Sequence, residues 1–117
     1  MTTILNKEAI LACKDLKQEI VEVPEWGGSV IVRTMTGTER DAFEQSITKD
    51  GVQYNTDNIR ARLVSLTLID EDGNRLFTDK EVESVGGKAA SALVRLYDVA
   101  QRLNGMSDAD VDELAKN

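Results

Sequence analysis

The sequence has 117 residues, 41% of them hydrophobic and 30% charged, which fits one domain with enough apolar side chain for a core and excludes a disordered tail. Fourteen Lys and Arg face 21 Asp and Glu for a net charge of −7. The acid is spread evenly, with 7 bases and 10 acids in residues 1–60 and 7 and 11 in residues 61–117, so the chain repels phosphate backbones and ordinary nucleic-acid binding is excluded.

Asn6 is a good N-cap, and Ile10, Leu11 and Cys13 follow at roughly helical spacing, which predicts a short helix over about 7–14. From Lys17 to Val23 the period changes to two, and from Ser29 to Met35 it resumes. The turn residues Pro24-Glu25-Trp26-Gly27-Gly28 lie between, so the two runs form a β-hairpin with Val21, Val23, Val30 and Val32 facing the core. Gly27 or Gly28 carries the positive φ of the connection.

Thr36-Gly37-Thr38-Glu39 is a capping box opening a helix over about 37–48, with Ala42, Phe43 and Ile47 as its apolar positions. Residues 48–56 read as a loop. Thr56 or Asp57 caps the next helix, which carries Ile59, Leu63 and Leu66. Leu66–Ile69 is a short apolar run that suits a strand as well, and the helical reading is preferred to about Leu68. Asp70-Glu71-Asp72-Gly73-Asn74 is a tight turn, and Thr78-Asp79-Lys80-Glu81 is a second capping box, opening a helix to about Val85. Lys88–Asn104 is the clearest helix, with a stripe of Ala89, Leu93, Leu96, Ala100 and Leu103 widened by Val94, Tyr97 and Val99. Asn104-Gly105 stops it. Ser107 caps a last acidic helix over 108–116 with few apolar residues.

The pattern predicts an α+β fold: a mainly helical single domain over 1–106 with one N-terminal hairpin packed on helices. A loosely docked acidic helix over 107–117 completes it.

No catalytic or metal-binding constellation stands out. Histidine is absent, which removes the commonest general base and metal ligand. Cys13, the one cysteine, lies among apolar residues and reads as a buried thiol, and its solitude excludes internal disulfides and suits a reducing cytoplasm. Asp70, Asp72, Asn74 and Glu81 fall at the first, third, fifth and twelfth positions of a calcium loop. The sixth position, where that loop needs glycine, is Arg75, so a solvated turn is the better reading. No cofactor is expected. There is no apolar run long enough to span a membrane, and the start lacks the basic-then-apolar pattern of a secretory signal.

Trp26 is the single tryptophan and sits at the hairpin tip. It either folds back over the core or stands out as an aromatic anchor for a partner. Ile20 and Ile31 share the hairpin face with Glu22 and Arg33, a mixture that suits an edge or oligomer contact and equally a helix-covered face.

The segment from Val21 to Glu44 resembles a known family. A strand leads to Pro24-Glu25-Trp26-Gly27-Gly28, then a second strand, then Thr36-Gly37-Thr38-Glu39-Arg40-Asp41 opening a helix. Further matching stretches are Leu63–Leu66 running on to Asp70–Phe77, and Leu93–Gly105. The ordered set resembles the tail assembly chaperones of long, non-contractile-tailed phages over about residues 4–107. The resemblance implies a non-enzymatic protein of the host cytoplasm, absent from the mature virion, that binds the tape measure protein and keeps it soluble until tail tube protein polymerises around it. It also implies self-association, and a longer frameshifted product that recruits tube protein. Ala115-Lys116-Asn117 can be encoded as GCA-AAA-AAC, which contains a slippery heptamer. The expected partner-binding residues are Trp26, Ile20, Ile31 and Arg33 on the hairpin, with Leu93, Leu96 and Tyr97 from any uncovered part of the Lys88–Asn104 stripe. The competing reading is an acidic adaptor or nucleic-acid mimic that blocks a host factor.

Overall fold

The computed structural model describes residues 2–49, 53–54 and 57–106. Helix α1 (Lys7–Ala12) starts where Asn6 predicts it, the Asn6 side chain accepting from the Ala9 amide at 2.9 Å. Strands β1 (Gln18–Val23) and β2 (Gly28–Arg33) pair antiparallel, with Ile20 opposite Ile31 and Val21 opposite Val30. One 3-10 turn, Pro24–Trp26, connects them, and Gly27 closes it at φ 73°, a conformation that a side chain would strain. The alternation works as read: Val21, Val23 and Val32 are buried and Val30 packs half-buried against them.

Helix α2 (Gly37–Ile47) begins on the predicted capping box. The Glu39 amide donates to Thr36 Oγ1 at 3.1 Å, and the Thr36 amide donates to Glu39 Oε1 at 2.9 Å. Phe43 and Ile47 are buried, whereas Ala42 is exposed. Within the expected loop, β3 (Thr48–Lys49) and β4 (Gln53–Tyr54) form a two-residue antiparallel ladder.

Helix α3 (Ile59–Thr67) is the centre of the molecule, with Ala61 and every residue from Leu63 to Thr67 buried. A helix buried on all sides lies inside the fold. Its N-cap is Asn58, in the left-handed region at φ 53°, and not Thr56 or Asp57; Asn tolerates that conformation better than other side-chain-bearing residues. Thr56 itself lies outside the described residues.

The helix ends at Thr67, and Leu68–Ile69 becomes a strand, β5, paired with β2 through Ile31–Ile69 and Val32–Leu68. The hairpin is therefore part of a three-stranded antiparallel sheet of order β1-β2-β5. Pairing the free edge of β2 outweighs one more helical residue, because unpaired backbone groups at a buried edge are costly.

The acidic turn follows. Asp70 Oδ1 accepts from the amides of Asp72 (2.8 Å) and Asn74 (3.0 Å), so backbone donors occupy the carboxylate. The second capping box forms at Thr78 and Glu81, opening a 3-10 turn that runs into α4 (Val82–Gly86). Helix α5 (Ala90–Leu103) lays its stripe on α3 and the sheet, burying Ala92, Leu93, Leu96, Tyr97, Ala100 and Gln101, whereas Ala89, expected to begin the stripe, is the exposed N-cap before the helix. The α+β class and the single core are as expected, with the third strand added. The acidic helix expected over 107–117 lies outside the described residues.

Candidate functional site

The structure separates the expected partner-binding residues into two groups. Leu93, Leu96 and Tyr97 are core: the stripe of α5 is covered by α3 and the sheet, leaving these three at 7%, 1% and 6% exposure. They offer no free surface in this chain. Among the large apolar residues of α5, Val94 is the exposed one. Tyr97 also lies 5.7 Å from the Arg60 guanidinium, which sits over its ring.

Trp26 folds back, half-buried against the core cluster, with its indole Nε1 enclosed and without a hydrogen-bond partner. Its neighbour Glu25 fixes the tip. Arg95 Nη1 donates to Glu25 Oε1 at 2.6 Å, Arg95 Nη2 donates to Oε2 at 3.0 Å, and the Ser91 hydroxyl donates to Oε2. Arg95 first and Ser91 second hold the Glu25 carboxyl down from 4.5 to about 2.

Arg33 is engaged inside the chain. Its Nη2 donates to Glu39 Oε1 at 2.8 Å and Oε2 at 2.9 Å, joining the sheet to the start of α2. Glu39 thereby serves the capping box and Arg33 together. Ile20 and Ile31 do form an apolar face. Directly opposed residues in antiparallel strands point to one side of the sheet, so Ile20, Ile31 and Ile69 make one row across it. Ile69 is buried, Ile31 is half-buried, and Ile20 is 70% exposed. Glu22 borders the row on the same side.

A larger apolar surface went unread in the sequence. Residues 2–17 form an arm in which Ile4, Leu5, Ile10, Leu11 and Leu16 are all exposed, and α1 buries nothing. Cys13, expected to be buried, is exposed because no element among the described residues covers this helix. The signal available is shortness: a helix of two turns or fewer cannot hide the adjacent Ile10 and Leu11 without another element over them. The arm joins the body at Lys17, whose amide donates to Thr34 Oγ1 at 3.0 Å while its carbonyl accepts from the Thr34 amide at 2.9 Å.

Among the described residues, no three His, Cys, Asp or Glu side chains gather closely enough to hold a metal ion. No helix there is long and apolar enough to cross a membrane. Five of the dispersed acids pair with arginines: Glu19 with Arg102, Glu25 with Arg95, Glu39 with Arg33, Glu44 with Arg40 and Asp79 with Arg75.

A family model described as phage tail assembly chaperone matches residues 5–117, nearly the whole chain. The chain belongs to the phage tail assembly chaperone family. No curated protein matches its sequence. Among solved structures, this family member is similar to the bacteriophage HK97 tail assembly chaperone, at 22% identity and a TM-score of 0.61, over 86% of this chain and 95% of that one. At that identity the likeness speaks for the fold, an independent sign that the sheet and helices described above belong together.

Proposed function

We propose that this family member binds the tape measure protein during phage tail morphogenesis, keeps it soluble, and assists tail tube polymerisation around it. Family membership over residues 5–117 carries the reading. The physical character of the chain supports it. A net charge of −7 favours a soluble exterior, while Ile20 and the arm offer apolar contact to an aggregation-prone partner. Such a role needs no catalysis and no cofactor. It places the protein in the host cytoplasm and outside the mature virion, acting as a homo-oligomer, with a frameshifted longer form recruiting tube protein. The rival, a nucleic-acid mimic, needs carboxylates gathered at phosphate-like spacing, and the even spread of acids with Lys and Arg interleaved, five of them in arginine pairs, counts against it.

Co-expression tests the reading. Tape measure protein is expected in the soluble fraction with this chain and in the pellet without it. Tape measure protein that stays soluble alone, in a phage that still builds tails, overturns the assignment. Stoichiometric inhibition of a host DNA-binding protein instead favours the mimic.

A further inference from the structure

We propose that the N-terminal arm, residues 2–16, is an exchange arm that seats on the isoleucine row of a second copy of this chain. The proposal rests on the self-association just put forward and gives it a surface. Three observations select the occupant. The arm is apolar but uncovered: Ile4 is 87% and Leu11 77% exposed, and no residue of α1 is buried. Such a segment, begun by its own side-chain cap at Asn6, is built to be completed from outside the chain.

The charges also permit it. Residues 2–16 hold two lysines and two acids, net 0, whereas residues 17–117 hold 12 bases against 19 acids, net −7. A neutral arm meets a second acidic body without the repulsion that two such bodies feel, and its lysines can pair with acids there. Finally, the body offers an apolar receptor. Ile20 and Ile31 lie side by side, with Glu22 alongside to meet Lys7 or Lys14. The arm cannot easily serve its own row. It is pinned to Thr34 at Lys17, only three residues before Ile20, and leaves the body there. Ile10 and Leu11 of one copy therefore lie over Ile20 and Ile31 of its neighbour. Arm and receptor are different surfaces, so the contact either exchanges reciprocally within a pair or runs from copy to copy.

The test is light-scattering mass after size exclusion on the full chain. The wild type is expected above the 12.9 kDa of one chain. The double variant Ile10→Asp with Leu11→Asp, and separately Ile20→Asp, are expected at 12.9 kDa with unchanged circular dichroism, since none of these side chains is buried. Mixing the two variants is expected to restore a heavier species, because one supplies an intact row and the other an intact arm. A monomeric wild type overturns self-association and the arm assignment together. An oligomeric wild type whose mass survives the arm variant, or variants that fail to complement, overturns the arm assignment alone. An arm variant that keeps its mass but no longer holds tape measure protein in solution assigns the arm to that partner and overturns the second copy. Tape measure solubility is read separately, so the chaperone reading stands or falls on its own experiment.

Discussion

The side-chain oxygen of Asn104 accepts a hydrogen bond from the Met35 amide at 2.8 Å, across 69 residues of sequence. The same side chain donates through Nδ2 to the Ala100 carbonyl at 2.8 Å, and the Asn104 carbonyl accepts from Arg40 Nη1 at 3.1 Å. One residue thus closes the end of α5 and fastens it to the connection between β2 and α2. Two lost side-chain bonds, one stranding a part-buried amide, cost about 2 kcal/mol. Asn104→Ala is therefore expected to lower Tm by roughly 8–10 °C. Asn104→Asp keeps the acceptor for Met35 and should lose about half as much. Thermal melts followed by circular dichroism read both, and equal losses would show that the Met35 bond contributes nothing.

What could be read in advance depended on where each determinant lies in the chain. The two capping boxes, the hairpin alternation and the stripe of α5 are local patterns, and each formed. The Asn104–Met35 bond is invisible locally, because Asn104 followed by Gly105 looks like a helix stop and nothing more. Leu68 and Ile69 are equally ambiguous, since a short apolar run fits a helix end or a strand until the edge of β2 is in place. The face of Ile20 is legible in the alternation, but choosing between its alternatives requires the long-range packing that puts α3 and α5 on the opposite side of the sheet. The arm is a different case. Spacing gave it a helix, and the inference from apolar residue to buried residue then failed at Ile10, Leu11 and Cys13.

Arg75, the residue that spoils the calcium-loop pattern, donates through Nε and Nη2 to the Ser65 carbonyl at 3.2 and 3.1 Å and through Nη2 to Asp79 at 2.9 Å. It binds a carbonyl in the last turns of α3, where a cation is favoured. Arg75→Ala is expected to cost about 2 kcal/mol, through the charged hydrogen bonds to a buried turn. Added Ca²⁺ is expected to leave Tm unchanged, because the Asp70 carboxylate already accepts two backbone amides. A Ca²⁺-dependent rise in Tm would reinstate the metal reading.

Burial divides the residues expected to bind a partner, and mutation can show it. Leu96→Ala empties a fully buried position and is expected to cost about 2–5 kcal/mol. Ile20→Asp changes an exposed side chain and is expected to stay within about 0.5 kcal/mol of wild type, apart from the concentration-dependent stability that self-association adds. Denaturant unfolding followed through Trp26 at several protein concentrations measures the pair. A large, concentration-independent stability loss from Ile20→Asp would mean that the isoleucine row is covered within the chain, which would also remove it as a receptor for the arm.

Glu25 gives the hairpin tip an acid-sensitive latch. Its carboxyl is held at about 2 by Arg95 and Ser91, against 4.5 for the free group. A depressed folded-state value means the unfolded chain binds the proton more readily. The contribution of Glu25 is therefore complete above about pH 4.5, declines as the pH falls below it, and is gone once the pH passes below about 2. The pair is solvent-exposed, so its effect is modest and weakened by salt. Glu25→Gln is expected to flatten that part of the stability profile between about pH 4.5 and pH 2 and to leave the slope above it unchanged. Because Glu25 precedes Trp26, indole fluorescence should report the release of the tip over the same range in the wild type and lose that step in the variant. An identical acid profile in wild type and Glu25→Gln would show that Arg95 does not hold the tip in solution.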